Sequence, residues 1–391
     1  MRASGRNLFL LSLGTLAVIA VLLGAAIYPK AKERWTAPLG PGLGLPTLTP
    51  TSSISAIAII PGSSTPTLSA EPADLENPTI AATASTGTEL VQASPTPALQ
   101  PLCGGPPVMT VLALGIDGSQ DYRYGLSDVI RVVRVDFVTP RVSVLSLPRD
   151  LWVEIPDIED NYGITHGKLN QAYFYGTPGM GYYDGPGAGA GLLARTLEQN
   201  FGLRVDHYGA VNMQTFIKIV DAVGGVDVYL PTDVDGTPVD EKTEDMGYFT
   251  AGNQHFTGDQ ALRFSRIRKR YSELTRQDNQ NIVICALKEK ITSPAVLPKI
   301  PQIISAFQGS VLTDLSPEQL AQLACLAPKL GQDNLLLTSL PDEILTQGKV
   351  YSPQQKAETF VWKADYDVIR DYLDKFLTGI WPTEKGESTC P

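Results

Sequence analysis

From Leu8 to Tyr28 the chain reads LFLLSLGTLAVIAVLLGAAIY, with no charged residue. A helix of about 20 such residues crosses the hydrocarbon core of a bilayer. Inside that core every backbone polar group must be satisfied within the segment itself, which leaves helix as the available form. The run therefore predicts a membrane anchor. A cleavable signal peptide is the competing reading, because Gly24-Ala25-Ala26 places small residues after an apolar core, but the length of the run favours an uncleaved span. Charge does not orient the helix, since Arg2 and Arg6 precede it while Lys30, Lys32 and Arg34 follow it. Two other features place the remainder outside the cytoplasm. The next segment is a low-charge stalk, and the four cysteines are an even set suited to an oxidising compartment.

Residues 36–107 are rich in Pro, Thr, Ser, Ala and Gly, with pieces such as PTLTPTSS and ASPTPALQP. Few large apolar side chains are present to offset the entropy of ordering, and repeated prolines favour extension, so this stretch reads as a disordered spacer. The expected organisation is a cytoplasmic tip and anchor (1–35), a linker (36–107), one folded domain (108–382) and a short tail (383–391). A formal net charge of −10 argues against a nucleic-acid partner.

Within the domain, VMTVLALGI at 108–116 is apolar throughout, as in a buried central strand. Val129–Val138 and Arg141–Leu147 alternate in character about a Thr-Pro turn and read as paired strands. Further strands are expected at 208–212 and 226–230. Helices are expected at 192–201, 214–223, after the Thr257 capping box, after Thr275, after Ser316 and at 365–377. This interleaving predicts the α/β class, a mixed central sheet covered by helices. The glycines of 185–191 read as a flexible loop that could help form a groove for a lipid tail. The three histidines lack metal-ligand spacing.

Three groups of residues could carry chemistry. Asp117 ends the first strand and Asp128 precedes the next. Carboxylates leading off adjacent strands can share a hard cation such as Mg²⁺, or each can simply cap a turn. Arg149, in SLPRD, ends another strand with the geometry for bidentate phosphate recognition, the alternative being a surface pair with Asp150. Arg263, Arg266, Arg268, Lys269, Arg270 and Arg276 form a basic cluster in an acidic protein. Arg276 shares a helix face with Gln280 and sits near the positive end of its own helix, a placement that favours a bound anion over a solvated face.

Taken in order, LGIDGSQDYRYGLSDVIRVVRVD, VSVLSLPRDLWVEIP, HGKLNQAYFYG, IKIVDAVGGVDV, FTGDQALRFSRIR and TRQDNQ resemble the successive motifs of the LytR-CpsA-Psr family, which attaches lipid-linked glycopolymers to the cell wall. The resemblance implies an Mg²⁺-dependent phosphotransferase, anchored by one span with its domain outside. It would move a glycopolymer from a polyprenyl-pyrophosphate carrier to a peptidoglycan hydroxyl. It implies Asp117 and Asp128 as Mg²⁺ ligands and Arg149 and Asp128 as catalytic. Arg149, Arg266, Arg268, Arg276 and Gln280 become the phosphate ligands, and Lys168 and Asn170 match a KxN motif that could equally be a structural turn. Two positions depart from the family pattern. Leu126 and Asn279 stand where arginine is usual, and Arg123 or Arg131 are the available substitutes for the first. A polyprenyl-pyrophosphate hydrolase and a non-catalytic envelope lipid- or wall-binding regulator remain alternatives. Among the cysteines, the expected pairs are Cys103–Cys390 and Cys285–Cys325.

Overall fold

The computed structural model describes residues 29–45 except 31, 99–268 except 242, 273–307, 309–352 and 356–382. The anchor expected at Leu8–Tyr28, nearly all of the linker and the tail lie outside these residues. Among those described, no helix is long and apolar enough to cross a membrane.

The domain is built on a six-stranded sheet. Its strands are β1 (Val108–Gly118), β2 (Gly125–Asp136), β3 (Arg141–Ser146), β4 (His207–Asn212), β5 (Leu312–Thr313) and β6 (Leu335–Ser339). They lie in the order β5-β4-β1-β2-β3-β6. β1 runs antiparallel to β2 and parallel to β4, while β3 runs antiparallel to β2 and parallel to β6, so the sheet is mixed. The helices are α1 (Leu169–Tyr175), α2 (Ala188–Phe201), α3 (Met213–Ala222), α4 (Gly258–Arg266), α5 (Glu273–Thr292), α6 (Ile300–Phe307), α7 (Pro317–Leu326) and α8 (Tyr366–Thr378).

One sheet face presents Leu112, Leu114 and Ile116 of β1 with Ile130 and Val132 of β2. These pack with Leu169 and Ala172 of α1, Leu192, Leu193 and Leu197 of α2, and Ile369, Leu373 and Phe376 of α8. Burying each such aliphatic side chain contributes about 1.5–3 kcal/mol, which fixes these helices to that face. The opposite face carries Val133, Val142 and Val144, which meet Ile284 and Cys285 of α5. A second small core joins α4, α5 and the hairpin Val226–Leu230/Gly252–Phe256 around Phe249, Phe256 and Phe264.

Several local expectations are corrected. The glycine-rich stretch is not a loop. Its second half is the N-terminal part of α2, in which Gly189 and Gly191 are buried. A Cβ on Gly191 would stand 1.9 Å from the Pro186 carbonyl oxygen, so glycine is there for close approach. None of its residues lines the cavity described below. Thr275 does not cap its helix, since α5 already begins at Glu273. β2 starts at Gly125, which brings Asp128 inside the strand. Strand β6, helix α6 and the hairpin Thr346–Ser352/Ala357–Lys363 had no clear sequence signal.

The linker expectation also changes at its described ends. Leu39 donates its amide to the Leu315 carbonyl at 3.2 Å, and Leu43 is buried in the main core. Cys103 is joined to Cys325 of α7, with the two Cα atoms 5.9 Å apart. The expected Cys103–Cys390 and Cys285–Cys325 pairs are therefore both wrong. The turn at Leu102–Gly104 folds back onto β2 and α7, with Leu102 donating to Phe137 at 2.8 Å, so the end of the linker meets α7 directly. Cys285 is itself disulfide-bonded.

Candidate functional site

Pairing between β1 and β2 is regular from Val108↔Asp136 to Gly115↔Val129, then shifts so that Ile116 meets Ser127 and Asp117 meets Leu126. Asp128 is the extra residue of this β-bulge. In unbroken register it would face Ile116, whose side chain is in the core. The bulge re-aims it, a use to which bulges beside active sites are often put. Gly125, at φ +144°, begins the strand, and a Cβ there would lie 2.9 Å from the Asp117 carbonyl oxygen. The hairpin end that holds both carboxylates thus depends on a bulge and a glycine.

Asp128 is engaged on three sides. Arg149 donates from Nη1 to its Oδ2 at 2.6 Å, and Asn170 donates to Oδ1 at 3.2 Å. Both terminal nitrogens of Arg276 lie 3.4 Å from its main-chain carbonyl. Arg149 also reaches Asp150 at 3.3 Å, and Lys168 holds that carboxylate at 2.7 Å. Lys168 and Asn170 therefore do more than form a turn. They brace the two aspartates that Arg149 bridges.

Against this network lies a cavity of about 600 Å³ between the sheet and α3, α4 and α5. The structure brings every sequence-predicted site residue to its wall: Asp117, Asp128, Arg149, Arg266, Arg268, Arg276 and Gln280. The rest of the lining is largely apolar and includes Val211, Phe216, Leu262, Val283 and Ile284. Helix α5 presents Arg276, Gln280 and Ile284 at four-residue intervals, so one helix face passes from cationic to aliphatic. Gln280 and its neighbour Asn279 donate to the carbonyls of Ser265 and Phe264, each at 3.4 Å, which ties α5 to the end of α4 where Arg266 sits. Arg266 is paired through both terminal nitrogens with Glu244, at 3.4 and 3.0 Å.

Of the two arginines offered as substitutes at Leu126, Arg123 is exposed and does not line the cavity, whereas Arg131 does. Arg131 is 4 % exposed. It donates to Asn281 at 2.8 Å and to Gln280 at 3.2 Å. Burial, and then the neighbouring Arg276, push its pKa down to about 10, which leaves it charged near neutrality. Sequence reasoning named Arg131 only as a substitute and missed Glu244, Asn212 and Asp235, which also line the cavity. A charge within VIRVVRV, where both sheet faces are covered, was the available signal for Arg131.

Among the described residues, no group of three or more His, Cys, Asp or Glu side chains could hold a metal ion. Asp117 and Asp128 do not form a self-sufficient cage. A pair of carboxylates is a donor set of the kind Mg²⁺ takes, since it normally uses one or two carboxylates and completes its shell with phosphate oxygens and water.

A mixed sheet and three helices around a cavity lined by both charged and aliphatic side chains define an α/β class with an amphipathic site. The chain belongs to the LytR_cpsA_psr family, which it matches over residues 89–365. It is 32 % identical over 214 residues to the polyisoprenyl-teichoic acid–peptidoglycan teichoic acid transferase TagU of Bacillus cereus (strain AH820), covering 54 % of this chain and 62 % of that one. The TagU of Oceanobacillus iheyensis is 34 % identical over 218 residues, covering 55 % of this chain and 61 % of its own. The chain thus spans less than two thirds of the length of either relative. The fold is shared with the crystal structure of B. subtilis TagV, at a TM-score of 0.51 and 24 % identity, covering 69 % of this chain and 97 % of that one.

Proposed function

We propose that this chain is a phosphotransferase. It takes a glycopolymer from a polyprenyl-pyrophosphate carrier and joins it through a phosphodiester to a hydroxyl of peptidoglycan. The observation that carries the reading is the amphipathic cavity, whose arginine end suits two adjacent phosphates and whose aliphatic end suits a polyprenyl tail. The transferase names of the relatives support it.

In this reading Arg149, Arg266, Arg268, Arg276 and Gln280 grip the pyrophosphate and hold the glycan-linked phosphorus facing the open mouth. The acceptor hydroxyl attacks there, and a carboxylate of the Asp117–Asp128 pair accepts its proton. Arginines already fixed in place stabilise the charge that spreads over the phosphoryl oxygens, without reorganisation during the reaction. Mg²⁺ held by Asp117 and Asp128 would supply Lewis-acid stabilisation of the same oxygens. The Leu8–Tyr28 run would anchor the protein beside its lipid substrate, with the domain on the extracytoplasmic side.

The test incubates the full chain in detergent with a polyprenyl-pyrophosphate glycan, Mg²⁺ and peptidoglycan, and follows products by mass spectrometry. Polyprenyl monophosphate and glycan-phosphate-peptidoglycan should appear together, should require the acceptor and should stop on chelation. Equal release of polyprenyl phosphate without acceptor would identify a hydrolase. A lipid that binds and is never converted would identify a regulator.

A further inference from the structure

Arg131 is a buried cation whose polar partners are neutral amides. Its terminal nitrogens meet Asn281 and Gln280, and its Nε is buried without a hydrogen-bond partner among the described residues. No carboxylate lies within ion-pair distance of it among those residues, and Arg276 is a like charge nearby. A buried charge held only by neutral groups is costly and calls for an anion. Its position is informative. On α5, Arg276 stands at the cationic end of the cavity, Gln280 one turn further, and Val283 and Ile284 one turn further again; Ala113, the residue paired with Arg131 in the sheet, lines the same cavity. Arg131 meets α5 at Gln280 and Asn281, where the charged wall gives way to the aliphatic one.

Building on the phosphotransferase reading, we propose that Arg131 binds the lipid-side phosphate and stabilises the polyprenyl phosphate that leaves. In the transfer, a bond forms between the acceptor oxygen and the glycan-linked phosphorus. The bond from that phosphorus to the bridging oxygen breaks, and the bridging oxygen keeps the electron pair. The acceptor proton goes to the aspartate pair, and the departing phosphate gains one negative charge. A guanidinium at the junction of polar and apolar walls meets that new charge as it develops. In this role Arg131 replaces the cation absent at Leu126, from a different strand position and on the leaving-group side.

The experiment titrates the full chain in detergent micelles with a polyprenyl monophosphate and, separately, with a polyprenyl pyrophosphate, using wild type, Arg131→Met and Arg131→Lys. Melting temperature is recorded with and without each lipid. Arg131→Met should weaken monophosphate binding at least about tenfold and abolish its stabilising shift, as expected for loss of one charge-assisted contact. Arg131→Lys should restore most of both. A role confined to structure would instead lower the lipid-free melting temperature of Arg131→Met and leave its lipid-induced shift intact. That result, or equal monophosphate binding by all three proteins, overturns the assignment while leaving the transferase reading standing. Failure of wild type to bind either lipid removes both.

Discussion

At the residue scale, Arg149 is the side chain through which the two acidic groups of the site communicate. Its guanidinium joins Asp128 at 2.6 Å and Asp150 at 3.3 Å, while Asn170 and Lys168 hold the far oxygens of those carboxylates. The ion pairs are partly buried, with Arg149 15 % and Asp128 25 % exposed, so water screens them incompletely. Their net contribution to folding is nevertheless modest, because desolvation offsets attraction. The function of the network lies in geometry, since a forked cation fixed between two acids is held in one orientation at the cavity wall. Arg149→Ala should therefore lower the initial transfer rate at least about 10²-fold, the effect of removing a fixed stabiliser of transition-state charge. The far-ultraviolet circular dichroism should be unchanged, because both aspartates keep a second partner. Arg149→Lys should be intermediate, as an ammonium cannot fork. Rates within threefold of wild type would remove Arg149 from the machinery.

At the element scale, the loop between the short strands Val234–Asp235 and Tyr248–Phe249 carries Glu244 to the cavity, where both carboxylate oxygens face Arg266. In the proposed complex this carboxylate would compete with a phosphate oxygen for Arg266. Glu244 is 62 % exposed, so the pair is screened and worth at most about 1 kcal/mol. Removing it should free Arg266 for a ligand by the same amount. Glu244→Gln is expected to tighten polyprenyl-pyrophosphate binding by up to about fivefold in a calorimetric titration, with a steeper salt dependence than wild type, because the competing pair that salt also screens is gone. Unchanged or weaker binding would show that the Glu244–Arg266 pair does not compete with the ligand.

At the scale of the whole molecule, Cys103–Cys325 closes a loop of 222 residues and holds the start of the domain against α7. Beside it, Met109, Val111, Phe137, Leu315 and Leu326 form a small separate core with few layers to support it. Closing so long a loop restricts the unfolded chain. The double replacement Cys103→Ser and Cys325→Ser should lower unfolding free energy by about 2–5 kcal/mol in a urea titration. Peptide mapping of the oxidised wild type should recover residues 103 and 325 in one fragment. Transfer activity at low temperature should survive the double replacement, because the cavity lies on other elements.

By itself the sequence determined the α/β class, the central apolar strand and the helix starts at Thr257 and Ser316, and it named seven residues that line one cavity. These are local signals: the run at 108–116, capping boxes at Thr257 and Ser316, and motifs in which a charged residue ends an apolar element. The tertiary structure alone decided three matters. It put Asp128 in a bulge, since one extra residue in a strand leaves no mark on composition yet reverses the face its side chain takes. It paired Cys103 with Cys325, because distance along the chain carries no information about which ends a compact domain brings together. And it buried Arg131: alternation in β2 puts that side chain on the face opposite Ile130 and Val132, but only the packing of α5 covers that face.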